Sequence, residues 1–212
     1  MARELALPFE GNTTRETLTM DPRAGKAAGR RCAGWCLPML VMLLACCVTA
    51  AADIAPDPAA LAARIHQEVN LAREREGLSP LAWHGELAAI AQTHSADMVG
   101  RDYFSHASPE GTSMRERYAQ AAYECAVQVG EEIYVGAENI AMHTLYRRVR
   151  IDSAGRRHYD WLDDAALARK VVNGWLQSAG HRQNILAPHW QREGIGLAFN
   201  ADYEVLITQN FC

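Results

Sequence analysis

GWLQSAGHRQNIL, residues Gly174–Leu186, is the stretch on which the reading of this chain turns. Trp175 lies one helical turn beyond Val171 and Val172 and so falls on their apolar face. The spacing predicts an amphipathic helix that stops at Gly180, where a permissive backbone lets the chain leave the helix. His181 follows at once, so a rigid corner would set the direction of its ring. Arg182 and Asn184 offer hydrogen bonds to the turn, and Ile185 and Leu186 plug the corner back into a core. Taken by itself the stretch reads equally well as a helix end with a surface histidine. Two further stretches tip the balance: YFSHASPEG at Tyr103–Gly111 and GAENIA at Gly136–Ala141. Each sets one metal-competent or proton-transferring side chain, His106 or Glu138, among small and apolar neighbours.

The chain has 212 residues, 49% hydrophobic and 22% charged, which suits one globular domain and a targeting segment. Its formal charge of −4 is unevenly spread: residues 1–52 hold six basic and four acidic side chains, leaving 15 basic and 21 acidic in the rest. A mildly acidic body argues against general nucleic-acid binding, which relies on basic patches to displace counterions.

Residues 1–52 read as a signal. Arg30 and Arg31 precede the apolar run Trp35–Val48, and small residues, Thr49–Ala52, lead to the polar start at Asp53. Met20 is a candidate initiator that leaves Arg23, Lys26, Arg30 and Arg31 as the basic flank. An uncleaved anchor is the alternative, and Leu43–Cys46 resembles a lipobox that would lipidate Cys46. Arg30-Arg31 also invites a twin-arginine reading, which the residues after it match poorly. Of the six cysteines only Cys125 and Cys212 belong to the body. An even pair in an oxidising compartment predicts one disulfide, worth about 2–4 kcal/mol.

In the body, Asp57-Pro58 is a helix start, with Leu61, Ile65, Val69 and Ala72 at helical spacing and Gly77 and Pro80 as the stop. A second helix is expected from about Gly85 to Gly100, with His94 on its apolar face as a hydrogen-bonded core residue. Ser113 and Glu116 form a capping-box pattern that opens a short third helix through about Ala122. Val127–Val135 is expected to hold a strand leading into Gly136. A carboxylate placed like Glu138 needs a partner, because burying it unpaired is costly. The segment His143–Asp164 reads as an inserted hairpin, Leu145–Ile151 against Arg156–Trp161, with five arginines making it a basic flap on an acidic body. Asp163 or Asp164 caps the helix that leads into the opening motif. Gly194–Phe199 and Tyr203–Phe211 alternate as two closing strands. Helices first and strands last predict an α+β domain over 53–212, helices packed on a small antiparallel sheet.

AQTHSADM (Ala91–Met98), YFSHASPEG, GAENIA, GWLQSAGHRQNIL and the terminal GIGLAF together, in this order, resemble the CAP superfamily of cysteine-rich secretory, antigen 5 and pathogenesis-related proteins. The resemblance is greatest to its bacterial SCP-like extracellular branch. It implies an α-β-α sandwich and an open cleft lined by two histidines and two acidic residues, which in some members binds zinc or a similar divalent ion. His106 and His181 match the histidines and Glu138 the first glutamate. The second glutamate should lie three residues after Trp175, where this chain has Ser178.

Two imidazoles and a carboxylate suit Zn²⁺ or another first-row ion, with Glu138 as third ligand or as the group orienting a bound water. Three functions follow. One is an exported, non-catalytic binding module with a metal-capable cleft and an extracellular lipid, peptide or cell-envelope ligand. The second is a metal-dependent hydrolase of the peptidase kind, although no HExxH helix and no serine or cysteine nucleophile with a base at motif spacing is present. The third is an extracellular lipid or sterol carrier.

Overall fold

Asp57 opens α1 (Pro58–Arg75): its carboxylate accepts the Ala59 N–H at 3.0 Å, and Pro58 takes the first helical position, where no partner for an N–H is needed. The computed structural model describes residues 56–212, so the signal segment, its cleavage point and Cys46 lie outside the described residues. After α1 come β1 (Ala82–Trp83), α2 (Gly85–Gly100) and α3 (Met114–Gln120). The capping box of α3 is complete, with Ser113 and Glu116 satisfying each other's backbone N–H. Then follow β2 (Val127–Val129), β3 (Glu132–Tyr134), β4 (Ala137–Thr144), β5 (Tyr146–Ile151), β6 (Arg157–Trp161), α4 (Asp164–Gln177), α5 (Ala179–Leu186), β7 (Arg192–Phe199) and β8 (Glu204–Phe211).

The main sheet has the order β1-β7-β8-β4, antiparallel except for the short β1 on its edge. Side chains alternate across it. On one face Ile195, Leu197, Val205, Ile207 and Phe211 pack against Leu61, Ile65 and Val69 of α1, Val171 and Trp175 of α4 and Ile185 of α5. The other face receives α2 and α3, through Leu87, Ile90, Met98 and Tyr118. Helices on both sides of a small sheet make an α-β-α sandwich.

The two glycines of GIGLAF explain how closely α2 lies on that second face. A Cβ on Gly194 would overlap the backbone at Ala88, and one on Gly196 the backbone at Gln92. Ser95 then donates to the Gly196 carbonyl at 3.0 Å and lies 2.9 Å from the Thr208 hydroxyl, so the contact is polar at its centre. Cys125 and Cys212 form a disulfide with Cα atoms 5.7 Å apart, tying the last residue to the segment after α3.

Four features differ from the sequence reading. The helix of the opening motif ends at Gln177, not at Gly180: Ser178 is extended (φ −90°, ψ 124°), and a separate helix starts at Ala179 with Gly180 inside it. GAENIA is a strand, paired residue for residue with β8 from Ala137↔Phe211 to Thr144↔Glu204, so the closing pair becomes three strands plus a parallel edge. The single strand expected at Val127–Val135 is a small hairpin, because Gly130 at φ +62° turns the chain back. The third helix is shorter than expected, ending at Gln120. The hairpin insertion is present as β5–β6, a two-stranded sheet of its own with a register shift between Tyr146 and Arg148.

Candidate functional site at the open edge of the sheet

β4 is an edge strand of the main sheet, and the site straddles it. His106 comes from the second face, on the loop after α2. That loop is short of regular structure, and three side chains hold it. His94, fully buried on α2, donates from Nε2 to the Ser105 carbonyl at 3.0 Å. Arg117 of α3 donates to the His106 and Thr112 carbonyls, both at 3.0 Å. Tyr103 donates to Asp97 at 2.5 Å, and burial together with that bond pushes its hydroxyl pKa up to about 12. Burial lowers the His94 pKa, so its imidazole is held neutral. It sits behind the loop and orients it.

Glu138 is the second residue of β4 and points to the same face. Its Oε1 accepts His106 Nδ1–H at 2.9 Å, and its Oε2 accepts Arg117 Nη2–H at 2.6 Å. The carboxylate is 3% exposed while the His106 side chain is 54% exposed. A buried carboxylate is thus paired twice, which is what burying it requires. The contact also selects the tautomer: a neutral His106 with its proton on Nδ1 leaves Nε2 as an acceptor on the more exposed ring.

His181 reaches the edge from the opposite face, on the first turn of α5. Asn184 clamps α5 to β4, donating to Asn139 Oδ1 at 2.9 Å and to the Glu138 carbonyl at 3.3 Å. Asn139 donates back to the His181 carbonyl at 3.3 Å. The His106 and His181 rings come to 6.5 Å between centroids at 51°, although the residues are far apart in sequence. Partial burial, reinforced by the neighbouring His106, lowers the His181 pKa. Ser178 sits at the α4–α5 junction, where its carbonyl accepts the Arg182 N–H at 2.8 Å. Among the described residues its hydroxyl makes no hydrogen bond to His106, Glu138 or His181.

The donor chemistry can be weighed directly. Two neutral imidazoles are the ligands that zinc and related ions take. Glu138 was expected as third ligand or as orienting group, and its contacts support the orienting role, since both oxygens are engaged. A carboxylate on the rear nitrogen is the usual companion of a metal-binding histidine. Among the described residues no group of three or more His, Cys, Asp or Glu side chains stands together to hold a metal ion. The residues therefore fit a two-histidine site that leaves the remaining positions to water or ligand.

Arg117 is the residue of the candidate site that sequence reasoning missed. The only signal was the need of Glu138 for a partner, and nothing in the sequence says which of the arginines meets it. Also missed is a buried polar chain on the first face. Asn139 Nδ2 donates to Gln209 Oε1 at 3.0 Å, Gln209 Nε2 to Glu193 Oε2 at 2.5 Å, and Glu193 Oε1 accepts from His66 Nδ1 at 2.5 Å. It runs from α5 across the whole sheet to a groove of about 670 Å³ between α1 and α2.

Comparison with known proteins bears on the family and the fold. The family described as "CAP: Cysteine-rich secretory protein family" matches residues 66–211. The chain is 31% identical over 142 residues to the membrane protein YlbC of Bacillus subtilis, covering 67% of this chain and 31% of that protein. It is 27% identical over 133 residues to YkwD of the same organism, covering 63% and 40%. The match thus spans less than half the length of either relative. Among solved structures, an extracellular SCP-domain protein from Bacillus anthracis is 28% identical with a TM-score of 0.51, over 73% of this chain and 40% of that one. An outer surface protein of Borrelia burgdorferi shares the fold at 15% identity and a TM-score of 0.54, over 74% and 94%.

Proposed function

We propose that this chain, which belongs to the cysteine-rich secretory protein (CAP) family, is an exported, non-catalytic binding module whose cleft at the β4 edge takes a divalent metal ion between His106 and His181. The carrying observation is the His106–Glu138–Arg117 arrangement, which commits His106 Nδ1 to the carboxylate and leaves Nε2 without a protein partner on a half-exposed ring near the second imidazole, that of His181. A bound ion would polarise an oxygen of a ligand in the cleft. The protein side is less suited to turnover. Both Glu138 oxygens are engaged, one by His106 and one by Arg117, so the buried carboxylate has no free oxygen to offer the cleft as a general base. Ser178 stands where the family resemblance implied a second carboxylate.

Export is supported by the Arg30–Ala52 pattern, by the Cys125–Cys212 disulfide and by the extracellular relative from B. anthracis. N-terminal sequencing of protein from its native host should begin near Ala51–Asp53 or at a lipidated Cys46, whereas an intact N-terminus in the cytosol contradicts export.

Titration calorimetry with Zn²⁺ tests the cleft. The parent should bind, and the double variant His106→Ala/His181→Ala should not, with circular dichroism unchanged. Equal binding by parent and double variant, or none by the parent, removes the reading.

A further inference from the structure

The β5–β6 hairpin combines five arginines with exposed apolar side chains. It projects as a two-stranded ribbon outside the main sheet. Its base is rigid. Leu145 N–H donates to the Tyr203 carbonyl at 2.8 Å, Leu162 N–H to the Leu145 carbonyl at 2.9 Å, and Tyr159 stacks on Trp161 at 4.8 Å, with Tyr203 against both rings. The turn is also ordered, because Asp152 accepts from the Ala154 and Arg156 N–H groups and from the Arg156 and His158 side chains. A ribbon built this stiffly is a presented surface and not a loose connection.

Its two faces differ. Cross-strand partners share a face. The register pairs Arg150 with His158 and Arg148 with Asp160 on one side, and Val149 with Tyr159 and Ile151 with Arg157 on the other. Val149 is 41% and Ile151 67% exposed, unusual for β-branched apolar residues on neighbouring same-face positions of one strand. Of the arginines, Arg156 is paired with Asp152 at 2.8 Å, while Arg147 and Arg148 share Asp160 only at 3.7 and 3.9 Å. Arg150 and Arg157 have no carboxylate within 4.0 Å among the described residues. The rest of the body is acidic. A local positive excess on an acidic domain is a directed electrostatic feature.

We propose that the β5–β6 hairpin docks the domain onto an anionic lipid surface. Positive charge alone would suit any polyanion. The exposed Val149 and Ile151 decide for lipid, because apolar side chains gain by entering the boundary between headgroups and acyl chains and gain nothing on a hydrated polymer. Arginine stems are long enough to lie along that boundary while their guanidinium groups reach the phosphates. The Tyr146, Tyr159, Trp161 and Tyr203 rings at the base supply the amphipathic aromatics that sit at headgroup level. This surface is separate from the His106–His181 cleft and needs no metal.

Hydrogen exchange of the full chain, resolved by peptide, tests the proposal without labels. It reads residues 146–161 directly, so any membrane affinity of the N-terminal segment does not confuse it. Vesicles of phosphatidylcholine mixed with phosphatidylglycerol should protect these residues at low salt, with protection fading as salt rises. Vesicles of phosphatidylcholine alone should not. Arg157→Glu, at the cross-strand partner of Ile151 on the same face, should weaken the effect on anionic vesicles several-fold, and so should Ile151→Ser, both with unchanged circular dichroism. No protection of 146–161, equal protection by neutral vesicles, or protection indifferent to Ile151→Ser overturns the lipid assignment. Soluble polyphosphate protecting the hairpin of both parent and Ile151→Ser as strongly as anionic vesicles also overturns it, in favour of a polymer partner.

Discussion

The molecule holds two histidine–glutamate pairs of similar geometry and opposite character. In His106–Glu138 the carboxylate is buried and the histidine half exposed, with one ring nitrogen committed to Glu138. In His66–Glu193 the carboxylate is 0% exposed and the histidine 21%, and both ring nitrogens are committed, Nδ1 to Glu193 and Nε2 to Asn70 at 3.3 Å. Asn70 is itself fixed by Leu81, whose N–H donates to Asn70 Oδ1 at 2.7 Å and whose carbonyl accepts from its Nδ2 at 3.0 Å. Residue type is the same, and even the nitrogen facing the carboxylate is the same. The difference lies in what remains over. A saturated pair can only hold structure together, while a pair with an accessible lone pair has a bond left to make. The two glutamates also balance their charge differently: Glu138 meets a guanidinium directly, whereas Glu193 ends a row of amide donors.

The largest expected effect is on the saturated pair. Glu193→Ala leaves the buried Gln209 Nε2 and the part-buried His66 Nδ1 unpaired. It should lower the unfolding free energy by about 3–5 kcal/mol in urea titrations. Zinc titration of the folded fraction should be unchanged, and a loss of zinc binding would join the two pairs into one functional unit. His66→Ala should cost less, about 1–3 kcal/mol, since Glu193 keeps its bond from Gln209. A cost near zero would mean that water replaces the imidazole at this groove and that the pair is not saturated after all. His106→Ala should reverse the pattern. Glu138 retains Arg117 and its freed oxygen opens toward solvent, so stability should fall by less than about 1 kcal/mol while zinc binding is lost.

The smallest effect concerns pH. His94, whose folded pKa is lowered first of all by burial, stabilises fully above the unfolded imidazole value of ~6.5. That contribution is lost as the pH falls from there through the lowered folded value, because the unfolded state takes up the proton first. Urea midpoints should therefore decline on acidification below pH ~6.5, and less steeply in His94→Asn. His181, lowered by burial and by His106, should stay unprotonated to a lower pH than an ordinary surface histidine. A residue-resolved NMR titration of its ring checks this, and a His181 midpoint at pH ~6.5 would show that this imidazole is not shielded.

Much was legible without coordinates because it is local. Caps and breakers act within a few residues, so Asp57-Pro58 and Ser113 with Glu116 could be read directly. The hairpin strands, the closing strands and the disulfide were legible for the same reason, or because few partners were available. The termination at Gly180 was misread because glycine permits a stop without requiring one. The break came at Ser178, whose extended backbone lets α5 dock on β4 through Asn184. GAENIA gave no strand signal because its pairing with β8 lies about 70 residues away in the chain, and edge-strand status is a property of the sheet.

The sequence by itself singled out three candidate side chains, His106, Glu138 and His181, and required a partner for Glu138. Only the tertiary structure decided that the partner is Arg117, that the two histidines meet around a sheet edge, and that a second pair at His66 and Glu193 is closed. The reason is physical. A residue's capacity to bond is fixed by its type, but the bonds left over after folding depend on every neighbour the fold supplies.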